Sequence, residues 1–394
     1  MDLRFTPEEE AFRREVREFL DRELPSDWMG GPISFGVVDR EVEMKWRKML
    51  AEKGWNTMGW PKEYGGQGAS LIMQLAFMEE WYYRGAPGID IFGIELLSPT
   101  LMIHGTEKQK REHLGGIARG EVVWCQGYSE PESGSDLASL STRAVEDGDD
   151  YVINGQKIWT SYAQYADWMF ILARTDTDAS KPKHRGITFF LADMDQPGFT
   201  VRPIAEMSGG SSFNEVFFDN VRVPKTNILG EVNRGWYVAM TLLDFERTGI
   251  AHPAGGRRIL DWLIQYARET KRNGQPLADD PIIRHKLADV AMDLETSRML
   301  AYTIAWMQGQ GIVPNREASE LRVLSTQTSQ KLAGVGMEML GLGGQLEPGS
   351  KWAPLEGFIK HQYLFAVSYT IESGTAEIQR NVIATRGLGL PKSV

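Results

Sequence analysis

A chain of 394 residues can hold two or three domains with substantial cores, and 42% hydrophobic with 24% charged residues describes a folded globular protein rather than a disordered one. A formal net charge of -10 argues against nucleic acid as the main partner, although a local Arg or Lys still suits an anionic small ligand. Cys125 is the sole cysteine, so no intrachain disulfide forms and a reducing cytoplasm is expected. The six histidines are scattered without ligand spacing, which disfavours a metal site. The N-terminus lacks signal-peptide character, and no apolar run is long enough to span a bilayer.

The chain begins as helix. Thr6-Pro7-Glu8-Glu9 supplies a capping hydroxyl, a proline at the first helical position and an acid at the third, and Phe12, Val16, Phe19 and Leu20 form an apolar stripe. Helical periodicity returns over 42–53 and 71–83, separated by the turn cluster 60–68. The character changes near Glu121. The run 151–159 reads as a hairpin with Asn154-Gly155 at its turn, and 169–173, 186–191, 199–204 and 215–223 add short strands rich in β-branched and aromatic residues. Helices are then expected over 236–251, 257–272, 282–308 and 318–339, with a last one after Gly374. The fold class is α+β, divided at 1–120, 121–230 and 231–394. A doubly wound dinucleotide fold is disfavoured, because strands do not alternate with helices.

Two runs at the edges of the β-rich block carry chemistry. Gln126-Gly127-Tyr128-Ser129-Glu130-Pro131-Glu132-Ser133-Gly134-Ser135-Asp136 is a loop of hydroxyls and free amides. Lys157-Ile158-Trp159-Thr160-Ser161 sets an indole beside two hydroxyls. Together they offer a plane to stack on and polar groups for a heteroaromatic edge, which is what a flavin requires of a protein. The plainer alternatives are a helix cap for 137–140 and an ordinary strand aromatic.

In the apolar helix around Leu242-Leu243-Asp244-Phe245-Glu246-Arg247, Asp244 and Arg247 are spaced to pair. Glu246 has only Leu242, Leu243, Gly249 and Ile250 three or four residues away. A buried carboxylate without a local cation suits a general base, while a distant Arg would make it structural. Ser373-Gly374-Thr375-Ala376-Glu377 enters a helix whose amides suit an anion or a carbonyl oxygen, or forms a plain helix start. The basic run 181–185 reads as a solvated loop tip, and Trp60, Trp81, Trp306 and Trp352 as core or interface packing.

These motifs resemble the acyl-CoA dehydrogenases, over almost the whole chain: Pro61-Lys62-Glu63-Tyr64-Gly65-Gly66, Ser129 through Asp136, Asn154 through Trp159, and Gly374 through Arg380. The resemblance implies an N-terminal helical domain, a middle β-domain and a C-terminal four-helix bundle. It also implies FAD, an acyl-CoA substrate and reoxidation by an electron-transferring flavoprotein. By the same resemblance Gln126, Tyr128 and Ser129 line the isoalloxazine, Trp159 packs on it and Ser161 sits near its reactive edge. Ser135 contacts the CoA, Asp244 and Arg247 flank the acyl channel, and Thr375 and Glu377 lie near the pyrophosphate and adenosine.

Many members place the catalytic Glu immediately before this last Gly-Thr, where the present chain has Ser373. A second branch places it where this chain has Glu246, so both lines of reasoning meet on Glu246, and the Ser373 amide remains available to polarise the thioester carbonyl. Thr270, Asn273 and Pro281, with Glu338-Met339-Leu340-Gly341-Leu342, depart from the segments that reach a neighbouring subunit's FAD. The pattern resembles heteromeric α2β2 steroid side-chain enzymes. A related partner subunit is therefore expected, with a homotetramer as the other assembly. An acyl-CoA oxidase using the same residues, and a structural subunit whose partner performs the chemistry, are the competing readings.

Overall fold

The computed structural model describes residues 4–30, 39–245 and 249–391, without the side chains of residues 244 and 245. The N-terminal region contains α1 (Pro7–Glu23), α2 (Arg40–Lys53), α3 (Leu71–Arg84), α4 (Ser98–His104) and α5 (Glu107–Ala118). The expected cap of α1 is formed: Thr6 Oγ1 accepts the Glu9 amide at 3.2 Å, and the Glu9 carboxylate accepts the Thr6 amide at 2.7 Å. Phe19, Trp46, Trp55, Phe77 and Trp81 interlock with ring centroids 5.1 to 6.3 Å apart, which fixes α1, α2 and α3 against one another.

The middle region is one curled sheet of β1 (Trp124–Gly127), β2 (Arg143–Asp147), β3 (Asp150–Ser161), β4 (Trp168–Arg174), β5 (Ile187–Asp193), β6 (Phe199–Pro203) and β7 (Phe213–Pro224). β4 pairs antiparallel with β5 and parallel with β1 and the start of β2; beyond β2 the order runs β3, β7, β6. The unbroken apolar runs of β4 and β5 follow from burial on both faces. Phe170, Leu172, Phe189 and Leu191 face Leu96, Leu97 and Leu242 on the helical side, while Met169, Ile171, Ala173 and Phe190 face Ile153, Val216 and Val221 inside the curl.

The expected hairpin turn at Asn154-Gly155 is corrected. These residues lie inside β3, where the register with β7 shifts between Ile153 and Gly155, and the chain reverses instead at Gly148-Asp149. Gly155 takes φ +149, and a Cβ there would lie 2.6 Å from Thr142 Oγ1, so the glycine serves a bulge crossed closely by the neighbouring strand.

The C-terminal region holds α6 (Gly235–Phe245), α7 (Ala251–Glu269), a ribbon of β8 (Lys271–Arg272) with β9 (Gln275–Pro276), α8 (Pro281–Gly309), α9 (Asn315–Leu340), α10 (Phe358–Tyr369) and α11 (Ala376–Val382). α7 to α10 form the bundle around Leu260, Leu263, Val290, Leu294, Leu332, Ile359 and Phe365. The single helix read over 236–251 is also corrected. Gly249 adopts φ +54, which a right-handed helix cannot include, and α7 starts at Ala251 rather than residue 257. α7 ends at Glu269 rather than 272 because Asn273 (φ 53) and Gly274 (φ 81) make the two-residue turn between β8 and β9.

Ion pairs and a tyrosine hydrogen bond tie α1 and α8 to α3. Arg13 and Arg17 of α1 hold Glu80 of α3, and Arg298 and Tyr302 of α8 hold its neighbour Glu79. Among the described residues no helix is long and apolar enough to cross a membrane.

Candidate active site

The loop 126–136 is fastened to β3 by a buried ion pair. Lys157, on β3, is fully buried; its Nζ donates to the Tyr128 carbonyl at 2.9 Å and to Glu130 Oε1 at 2.8 Å. The Glu130 carboxylate also accepts from the Ser141 amide and hydroxyl and the Thr142 amide, at 2.6 to 2.9 Å. Burial alone would raise the Glu130 carboxyl, but the Lys157 charge and these donors outweigh it and hold it down at about 2. Burial lowers the Lys157 ammonium to about 8, against the pull of Glu130. The two effects oppose each other on whether the pair stays charged; the 2.8 Å contact and the donors on Glu130 decide for the ionised form at neutral pH. Ser129 adds a backbone link, its carbonyl accepting the Ile158 amide at 2.9 Å.

The next two residues of β3 form a second bulge, where the register with β7 shifts between Lys157 and Thr160. Trp159 sits in it at φ 61, and Tyr162 follows at φ 58. A left-handed conformation in a bulky residue costs about 1–3 kcal/mol, and such strain concentrates at functional sites. The bulge turns the Trp159 indole outward, 57% exposed, with its edge toward Phe213 at 6.2 Å. Ser161 is buried and paired with Phe213 of β7. Gln126 pairs with Phe170 of β4 and is half-buried. The Tyr128 ring lies in the core, edge-on to Phe170 at 5.8 Å and Phe189 at 6.3 Å, so it is the backbone of this residue that the loop leaves to line a flavin.

An aromatic file connects this bulge to the C-terminal bundle. From Trp159 it runs through Phe213 to Phe365 at 6.3 Å, then Tyr369 at 5.5 Å and His252 at 4.6 Å. At its end opens a cavity of about 610 Å³, lined by Trp60, Tyr82, Phe92 and Met102 of the N-terminal region, by Tyr162 of the sheet, and by Gly249, His252, Arg322, Glu372 and Ser373 of the C-terminal region. That size suits a bulky organic group. Ser373 occupies the left-handed region at φ 51.

Other candidates lie apart. Ser135 is exposed at the loop tip, beside Asp136, which pairs with Lys183 at 3.0 Å; the basic run 181–185 is a largely exposed loop, as expected, and Lys183 reaches from it to this second loop. Thr375 Oγ1 caps α11 by accepting the Ile378 amide at 3.2 Å, and Glu377 is exposed, 3.9 Å from Arg380. Of the tryptophans read as packing, Trp60 and Trp81 are buried and Trp352 is 74% exposed. Glu246 and Arg247 lie outside the described residues, as does the side chain of Asp244.

Residues 6–121 match the acyl-CoA dehydrogenase N-terminal domain, 125–221 the middle domain and 233–388 the C-terminal domain. The chain belongs to the acyl-CoA dehydrogenase family. The acyl-CoA dehydrogenase IpdE1 of Mycobacterium tuberculosis is 38% identical over 393 residues, covering 97% of this chain and 98% of that protein. Among solved structures, the ChsE4-ChsE5 complex from Mycobacterium tuberculosis superposes with a TM-score of 0.90 at 35% identity, covering 100% of both chains. The Tcur3481-Tcur3483 steroid acyl-CoA dehydrogenase gives a TM-score of 0.89 at 35% identity, again over 100% of both chains.

In this dehydrogenase Glu130 and Lys157 join the candidate site as residues the sequence did not single out, although both lie inside its motifs. A Glu followed by Pro in a loop and a Lys within an apolar strand were the available signals, since neither is buried without a partner. Arg322 and Glu372 were missed as cavity residues because only the tertiary fold brings α9 to the end of α10. Trp159 yields a direct prediction. Its exposure means that Trp159→Ala should shift the melting temperature of the apoprotein by less than about 2 °C, as for a surface substitution. FAD affinity should fall about tenfold or more through the lost stacking surface, measured by fluorescence titration. Unchanged affinity would remove Trp159 from the site.

Proposed function

We propose that this chain catalyses the FAD-dependent α,β-dehydrogenation of a bulky acyl-CoA thioester to the 2-enoyl-CoA, as the base-bearing subunit of a heteromer in the cytoplasm. The observation that carries this reading is the cavity. Its wall includes Tyr162, three residues beyond Trp159, together with Ser373 and with Gly249, three residues beyond Glu246. Ser373 and the residues that closely follow Trp159 and Glu246 in the chain thus line one space large enough for a polycyclic or branched acyl group.

The fit to a flavin rests on Trp159, a large aromatic held outward on a strained bulge beside a loop that Glu130 and Lys157 make rigid. Gln126 and the backbone of 128–129 would meet the ring edge, and Thr375 and Glu377 the rest of the cofactor. FAD, when bound, supplies the acceptor for the β-hydride. Glu246 takes the α-proton, and the Ser373 amide donates to the thioester carbonyl as negative charge develops there. Asp244 and Arg247 flank the channel, and Ser135 reaches the CoA. An electron-transferring flavoprotein removes the electrons.

The heteromer follows from the segments that depart from the family. Asn273 forms the turn between β8 and β9, and Pro281 opens α8 behind its Asp280 cap. Thr270 and Pro281 stand where family members often place an Arg and a Gln that reach a neighbouring FAD, so a related partner would have to supply those donors. Two of the similar solved structures are of paired proteins, which agrees with this arrangement.

The test is anaerobic loss of flavin absorbance with straight-chain, branched and steroid side-chain CoA thioesters, using the chain alone and coexpressed with a related subunit. Rapid bleaching by the bulky thioesters, with full FAD occupancy only in the coexpressed sample, is expected. A colourless protein in both preparations would overturn the assignment, and a fully active homotetramer would overturn the heteromer.

A further inference from the structure

We propose that Arg322 is a positioning residue that holds the Glu372–Ser373 turn in the conformation presenting the Ser373 amide to the cavity. The inference rests on the reading of that amide as the thioester carbonyl's donor.

The last carbonyls of a helix have no partner within it, and the chain leaving α10 must find them elsewhere. Arg322, on α9, satisfies two at once: its Nη2 donates to the Tyr369 carbonyl at 3.2 Å and to the Glu372 carbonyl at 2.8 Å. One nitrogen thereby closes the loop from the end of α10 to the residue before Ser373. The left-handed Ser373 is costly for a residue with a Cβ and persists only where its surroundings over-determine it. Arg322 grips the turn from one side. From the other, Gln379 Nε2 approaches the Ser373 and Gly374 carbonyls at 3.3 and 3.4 Å. The Glu372 carboxylate, 3.7 Å from Arg322 Nη2, balances the cation.

Arg322 is itself braced. Its Nη1 faces His252 Nε2 at 3.5 Å, while His252 Nδ1 faces Ser329 Oγ at 3.4 Å and the ring stands edge-on to Tyr369. Burial, with the Arg322 charge adding to it, drives the His252 pKa down to about 3, so the ring is neutral and its Nε2 can face the guanidinium as an acceptor. His252 is the second residue of α7, and Gly249, Ile250 and Ala251 before it line the same cavity. Arg322 therefore links the carbonyl-binding turn to the chain that leads directly out of the Glu246 segment. It sets the donor relative to the base without touching the reacting atoms.

The experiment compares two inert ligands of the FAD-loaded protein, with its partner subunit where one copurifies. One is a 2,2-dimethylacyl-CoA, which has the thioester carbonyl but no α-proton to lose. The other is the thioether of the same carbon skeleton, in which that carbonyl is a methylene. The ratio of their Kd values, from flavin-absorbance titration, reads the hydrogen bond to the carbonyl. Wild type should prefer the thioester about tenfold, the yield of roughly one good hydrogen bond. Arg322→Gln should reduce the ratio to near one, while thioether affinity stays within about threefold. Arg322→Lys keeps the charge but not the planar fork and should fall between the two.

A merely structural role would weaken both ligands alike and leave the ratio unchanged, which overturns the proposal. If Arg322→Gln does not fold, an unchanged ratio in Arg322→Lys overturns it equally. A wild-type ratio of one would instead bring down the carbonyl-donor reading of Ser373, and the role of Arg322 with it.

Discussion

Glu246→Gln is expected to leave FAD bound and to slow flavin bleaching by a bulky acyl-CoA at least about 100-fold, since a positioned general base contributes on the order of 10²–10⁴ in rate. The amide keeps the volume and polarity of the side chain but cannot take a proton. Thioester Kd should therefore change little while the bleaching rate falls, which is the pattern of an interaction made only in the transition state. A control is needed because Glu372 also borders the cavity. Its carboxylate lies 3.7 Å from Arg322, which favours keeping it as a counter-ion rather than freeing it as a base. Stopped-flow comparison of Glu246→Gln with Glu372→Gln separates the two. Full bleaching in Glu246→Gln and none in Glu372→Gln would transfer the base to Glu372.

Lys157→Met carries the largest expected effect on stability. It leaves Glu130 buried, with three remaining donors but no counter-charge. Removing one member of a buried pair costs about 3–5 kcal/mol, so the melting temperature should fall by at least roughly 5 °C and FAD occupancy should fall with it. The double variant Glu130→Gln with Lys157→Met should recover much of the loss, because no charge is left uncompensated. A single variant as stable as the parent would mean that the pair does not hold the loop.

The same pair predicts an acid limb. Because the Glu130 carboxyl is held at about 2, below its ordinary 4.5, its contribution is fully present above about pH 4.5 and is lost as pH falls toward 2. The difference corresponds to about 3 kcal/mol. Melting curves between pH 5 and 3 should show this slope in the parent and a shallower one in Glu130→Gln.

Much of the architecture was legible in the residues. Thr6-Pro7-Glu8-Glu9 specified its own helix start, because a capping box involves only neighbours in sequence. The β4 and β5 runs declared themselves by unbroken apolar character, and the long helices α8 and α9 by their period. One local pattern can serve two structures, and its neighbours in sequence do not decide between them. Asn154-Gly155 and Asn273-Gly274 are the same dipeptide. The first became a bulge because Thr142, which leads into the adjoining strand β2, crosses it closely, and the second became a turn because nothing competes there.

The site divides in the same way. Side-chain types within a few residues of one another, such as Trp159 beside Thr160 and Ser161, or Glu246 without a local cation, could be recognised from the sequence alone. Together with the motif order they determined the family and its three-part fold. Only the tertiary structure decided that Lys157 closes on Glu130 across 27 residues, and that Trp159 is turned outward by a bulge. It also decided that Arg322 reaches the carbonyl of Glu372 across 50 residues. Burial and charge pairing between distant segments exist only once the chain has packed, and in this dehydrogenase they hold the candidate site in shape.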